Sequence, residues 1–81
     1  MGLEEAQLHR VVMRELARRP INISRVSFQV THGVVHMYGQ LTKLAAHRNA
    51  DLRAEMETFR QNLRRKPGIR EVMYDELQIR Q

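Results

Sequence analysis

The stretch from Val26 to Leu41 constrains the fold more than any other part of the chain. Val26, Phe28 and Val30 alternate with Ser27, Gln29 and Thr31. His32-Gly33 follows, and then Val34-Val35-His36-Met37-Tyr38-Gly39-Gln40-Leu41. Alternation at a period of two marks a strand with one buried face. A two-residue turn at His32-Gly33 pairs residues whose numbers sum to 65. Val30 then faces Val35, Phe28 faces Met37 and Val26 faces Gly39, all on one side. The other side collects Ser27, Gln29, Thr31, Val34, His36, Tyr38 and Gln40. A slip of one residue would undo that sorting. The X-Gly turn suits a type I′ connection, whose two central residues both need positive φ. A hairpin is predicted, with Gly33 in its turn. Gly39 is placed where a helix comes close to the sheet or the strand bends.

Two helices flank this hairpin. Over residues 4–18, Leu8, Val11, Val12 and Leu16 form one apolar stripe at i, i+3, i+4 and i+8. Pro20 ends it, and Ile21-Asn22-Ile23-Ser24 reads as a short connector. Residues 43–66 read as a longer helix. Leu52, Met56, Phe59 and Leu63 form its stripe, Ala45 lies one heptad earlier, and Thr42 is placed to cap it. Pro67-Gly68 stops it, so Gly68 is structural like Gly33 and Gly39. Ile69 to Ile79 reads as a third strand. Its apolar positions change phase between Tyr74 and Leu77, and a bulge near Asp75-Glu76 would restore one buried face. The order is helix, strand, strand, helix, strand. It predicts an α+β two-layer sandwich, αββαβ, with a three-stranded mixed sheet and both helices on its one apolar face.

Composition narrows the class. Eighty-one residues make one domain, 1–81, with a core from about residue 6 to 79. A chain of this size buries only about 60% of its unfolded surface, and 42% hydrophobic residues supply one core. There is no Cys, which removes disulfides, Cys-based zinc sites and thiol chemistry. No apolar run approaches the roughly 18 residues of a membrane span. The first five residues, Met1-Gly2-Leu3-Glu4-Glu5, do not read as a signal peptide. A cytoplasmic location is expected, or a periplasmic one if the chain is a piece of an exported protein.

Two segments resemble the BON domain family. They are Val26-Ser27-Phe28-Gln29-Val30-Thr31-His32-Gly33-Val34-Val35-His36-Met37-Tyr38-Gly39 and Gly68-Ile69-Arg70-Glu71-Val72, closed by Leu77 and Ile79. The family pattern is an alternating strand, a turn ending in Gly, V-x-L-x-G, a helix and G-V-x-x-V. The resemblance runs from about residue 6 to 79 and rests on glycines and core positions. It implies an αββαβ fold and a non-enzymatic binding module associating with a phospholipid surface or a protein partner.

The charge offers a second line. The formal net charge is +5, and residues 42–66 carry +4 of it. Arg53, Arg60 and Arg64 fall on one flank of the second helix, and Arg64-Arg65-Lys66 add density at its end. Arg10, Arg14 and Arg18 form an i, i+4, i+8 ridge on the first helix. Such rows suit anionic lipid or nucleic-acid phosphates, although charged helix faces are commonly just solvated. Val34, His36 and Tyr38 form an apolar-aromatic strip on the open sheet face beside Gln29 and Gln40, a partner site in outline, to which the last strand adds Met73 and Arg80 if the bulge turns them that way. His32 and His36 would sit roughly 13 Å apart on a straight strand, too far to share a metal. No cofactor or metal is expected. No nucleophile elbow, phosphate loop or paired-carboxylate motif is present, so no catalytic residue is assigned. Three readings follow: a BON-like binding module, a KH-like nucleic-acid binder using Arg53, Arg60, Arg64, Arg65 and Lys66, and a self-assembling unit joined through a strand edge.

Overall fold

The hairpin forms in the register its side chains require. The computed structural model describes residues 3–80; residues 1, 2 and 81 of the expected domain lie outside the described residues. The order is α1 (Leu3–Ala17), β1 (Ile21–Asn22), β2 (Val26–Thr31), β3 (Val34–Lys43), a single 3-10 turn (Ala45–His47), α2 (Leu52–Arg64) and β4 (Glu71–Ile79). Val26 pairs with Gly39, Phe28 with Met37 and Val30 with Val35. His32 and Gly33 take φ of 53° and 78°, the two positive angles of a type I′ turn.

β3 is the central strand. β2 lies antiparallel on one edge, and β1 pairs with the far end of β3 through Ile21–Lys43 and Asn22–Thr42. β4 runs parallel along the other edge, so α2 is the crossover that a parallel pair needs. The sheet is mixed, and both helices cover one face, giving the expected two-layer sandwich. It has four strands rather than three. The predicted connector Ile21-Asn22 is itself a strand, because Ile21 is buried in the core and its backbone finds a partner in the last residues of β3.

The core lies between the layers. α1 contributes Leu8, Val12 and Leu16; α2 contributes Leu52, Met56, Phe59 and Leu63. The sheet answers with Ile21, Val30, Val35, Met37, Leu41, Val72 and Leu77. The register of β4 against β3 slips between His36–Met73 and Tyr38–Glu76, so Tyr74 and Asp75 together oppose Met37. That bulge brings Val72 and Leu77 to the same buried side, one residue earlier than the sequence placed it.

The second helix starts later than its periodicity suggests. β3 continues through Thr42 and Lys43, a 3-10 turn follows, and Asp51 caps α2 by accepting from the Ala54 N–H at 3.2 Å. Thr42 is thus a strand residue and not a cap. Ala45 is exposed and not part of the stripe, because pairing with β1 holds the chain extended as far as Lys43.

Gly39 was expected to admit a helix or mark a bend. Its φ is 103°, and a Cβ there would run into the carbonyl oxygen of Arg25, which accepts from the Gln40 N–H at 2.9 Å. The close neighbour is therefore the backbone leading into β2, not a helix. At the other end of the hairpin the Gly33 carbonyl accepts from the Arg70 N–H at 2.7 Å. This bond ties the turn to the loop before β4, and a Cβ on Gly33 would sit 2.5 Å from the Gly68 carbonyl oxygen.

Two substitutions test this account by urea denaturation. Asp51→Ala removes the cap of α2 and is expected to cost about 0.5–2 kcal/mol, whereas the same change at an uncapped start would cost little. Gly39→Ala adds strain at positive φ of the order of 1–3 kcal/mol plus the clash with Arg25. A wild-type midpoint for Gly39→Ala would contradict the close approach.

Candidate functional site

The fold distributes the expected site residues over three surfaces. Val34, His36 and Tyr38 alternate along β3 and face away from the helices, as the hairpin register dictates. His36 and Tyr38 are exposed and Val34 is half-buried. Met73 pairs with His36 and Glu76 with Tyr38 across the β3–β4 ladder. Gln29, Thr31, His36, Tyr38, Met73 and Glu76 line a depression of about 380 Å³ that Asp75 also borders. Tyr38 and Met73 are among the few large apolar residues with more than a third of their surface exposed. The strip is therefore as apolar and aromatic as the sequence suggests, but the bulge sets two carboxylates, Asp75 and Glu76, on its border. Arg80 is exposed and donates to the Gln78 side chain at 3.2 Å. An anionic partner is not favoured on this face, since like charges repel.

The second surface is the seam between α2 and β4; Glu57 could be read from the sequence as a neighbour that screens Arg60, but Glu71 and Tyr74 could not. Arg60 donates from Nε to Glu71 Oε1 at 3.1 Å and from a terminal nitrogen to Glu71 Oε2 at 3.4 Å. Its other terminal nitrogen reaches Glu57 at 3.1 Å. The Tyr74 hydroxyl donates to the second Glu57 oxygen at 3.0 Å. Arg64 approaches Glu71 at 3.9 Å. Glu71 also accepts from the Val72 N–H at 2.9 Å. That backbone bond, and then the Arg60 guanidinium, hold the Glu71 carboxyl below the usual glutamate range. The same pairing raises Arg60. Burial, and then the bond to Glu57, push the Tyr74 hydroxyl up. A bidentate arginine–carboxylate pair of this kind positions elements as much as it binds. Arg60 thus fastens the crossover helix to the strand it delivers. The signal in the sequence was the carboxylate at Glu71, just beyond the Pro67-Gly68 stop, but nothing local pairs it with Arg60.

The third surface is the solvent side of the helical layer. Arg10 and Arg14 are exposed along α1 and Arg18 just past its end, while Arg53 is exposed on the β4 flank of α2. Arg65 and Lys66 are exposed just past the end of α2. Arg18 lies 3.8 Å from Glu15, and Arg19 reaches across to Glu55 at 3.4 Å. Arg10, Arg14, Arg53, Arg65 and Lys66 form no ion pair among the described residues. The sequence grouped Arg53, Arg60 and Arg64 as one row; the fold divides it, turning Arg60 and Arg64 toward Glu71.

No cluster of three metal-ligating side chains exists among the described residues. The four histidines are dispersed, and His9 is stacked on Phe28 with ring centroids 4.6 Å apart. Among the described residues no helix is long and apolar enough to cross a membrane. No family model, no curated protein and no solved structure matches this chain.

The seam carries a pH test. Glu71 is held low in the fold, so its contribution to stability is present above the ordinary glutamate pKa. It is lost as pH falls through the lowered folded value. Glu71→Gln is expected to be less stable than wild type at neutral pH, with the difference shrinking on acidification. Urea midpoints across the acid range check this. A difference that stays constant with pH would mean that the carboxylate charge contributes nothing.

Proposed function

We propose that the chain is a non-catalytic binding module of the BON type that seats its helical layer on an anionic phospholipid surface in the cytoplasm. The observation that carries this reading is the sorting of charge between the two layers. α1 and α2 lie side by side on one sheet face, so their solvent sides form a single surface. That surface presents Arg10, Arg14 and Arg18 from the α1 side, with Arg65 and Lys66 just past the end of α2; Arg53 stands on the flank of α2 toward β4. The opposite face has Asp75 and Glu76 beside its apolar strip.

A basic residue close to an anionic leaflet contributes about 1 kcal/mol, and the attraction fades within a Debye length. Several arginines on one flat layer suit an extended charged plane better than a single phosphate. The long arginine stems also let the guanidinium reach headgroups while the helix stays outside them. Nucleic acid is the weaker reading. Arg60 and Arg64 were its core on α2, and both are engaged with Glu71. Tyr38 is exposed for stacking, but it stands on the acidic-bordered face.

Co-sedimentation with phosphatidylserine-containing vesicles tests the reading. Wild-type protein is expected to pellet at low salt and to be released at high salt. The double variant Arg10→Gln/Arg14→Gln is expected to bind about tenfold more weakly or worse. No pelleting on anionic vesicles at low salt would refute it. Tight binding to a generic RNA with none to vesicles would transfer the basic layer to the nucleic-acid reading.

A further inference from the structure

Among the described residues three large apolar side chains have more than a third of their surface exposed: Met13, Tyr38 and Met73. They fall on opposite sides of the sandwich. Met13 stands on the solvent side of α1, in the layer that covers one sheet face. Tyr38 and Met73 stand on the other, uncovered face. An apolar patch rimmed by polar residues is the usual form of a contact site.

The two rims carry opposite charge. Arg10 and Arg14 form a row at i and i+4 along α1, and Met13 stands beside it, three residues after Arg10. Residues at these spacings are neighbours on a helix surface. Between Gln7 and Ala17 the exposed residues are Gln7, His9, Arg10, Met13, Arg14 and Ala17, with no acid among them. Glu15, the acid of that span, is buried. Neither Arg10 nor Arg14 forms an ion pair among the described residues.

On the open face the depression of about 380 Å³ lies across the β3–β4 ladder. Tyr38 is opposed to Glu76 there, and His36 to Met73. The bulge adds Asp75 to the border. Asp75 and Glu76 form no ion pair among the described residues, and no lysine or arginine among them lines the depression. An apolar floor is thus edged by two carboxylates without a counter-charge.

We propose that the chain associates with itself back to front: the α1 ridge of one copy, Met13 beside Arg10 and Arg14, seats in the open-face depression of a second copy. Met13 lies against Tyr38 and Met73, a thioether on an aromatic ring. Arg10 and Arg14 meet Asp75 and Glu76. The occupant is a second copy because the chain itself carries both halves of the contact, each apolar at heart and the two opposite in charge. The halves are different surfaces on opposite sides of the molecule. The contact is therefore heterologous, and association extends beyond two copies. This goes beyond the lipid reading and does not rest on it. Both use the α1 ridge, so within a row only the copy whose ridge is uncovered can meet a membrane.

Sedimentation velocity of the whole chain over a concentration series tests the proposal. The wild type is expected to rise above monomer mass with concentration and to fall back in high salt. Asp75→Lys/Glu76→Lys alone and Arg10→Glu/Arg14→Glu alone are each expected to weaken association about tenfold or more. An equimolar mixture of the two is expected to recover a contact of near wild-type affinity, because the first keeps the α1 ridge and the second keeps the depression. Circular dichroism confirms that both variants keep the fold. A wild type that stays monomeric at the highest attainable concentration overturns the proposal. So does a mixture that stays dissociated, or a loss confined to one variant, since the contact must then join like surfaces. Asp75→Lys/Glu76→Lys leaves the α1 ridge intact, so its binding to phosphatidylserine vesicles separates a failure here from a failure of the lipid reading.

Discussion

Everything in this molecule is hung on the register of β3. It is the one strand that pairs with all the others, antiparallel to β1 and β2 and parallel to β4. Its buried side chains, Val35, Met37 and Leu41, join residues of both helices in one buried cluster. Two glycines fix that register at either end of the hairpin. Gly33 supplies a positive φ for the two-residue turn. Gly39 lets the Arg25 backbone close in where β2 begins. A shift of one residue would turn Val35 and Met37 to solvent and bring His36 and Tyr38 under the helices.

Much of this was legible because strand periodicity is a local signal. The hairpin pairs, the buried stripe Leu52, Met56, Phe59 and Leu63, and the phase change that demands a bulge could all be read from the sequence. What could not be read depends on contacts between distant segments. Ile21-Asn22 looks like a linker until the end of β3 arrives beside it. The start of α2 was misjudged because Ala45 stands one heptad before Leu52 and mimics a continuing stripe. Only the pairing of Lys43 with Ile21 shows that the chain is still extended there. Asp51 is the cap, and Asp is as good a cap as Thr.

The candidate sites were legible as residue types and not as groupings. The sequence places Arg53, Arg60 and Arg64 on one helix flank, which is correct, but says nothing of what lies opposite. β4 lies there, and Glu71 with Glu57 takes up Arg60. Like-charged rows on a helix look functional only until the partner element is known. Conversely, the open sheet face seemed simply apolar and aromatic, and the β4 bulge adds two carboxylates to it. Of the arginine rows read from the sequence, the α1 ridge is the one that stays exposed, with Arg10 and Arg14 in no ion pair among the described residues.

The parallel pairing of β3 with β4 has a consequence for how the chain reaches this state. The hairpin closes over two residues, whereas Val34 must wait for Glu71. Closing the longer loop costs more chain entropy, and contacts distant in sequence form slowly. Of the two strand pairings, the hairpin is therefore the one expected to close first, with one greasy face uncovered. The tie between the Gly33 carbonyl and the Arg70 N–H then sets where β4 begins. A single backbone bond at the tip of the hairpin thus acts as the starting mark against which the last strand is aligned.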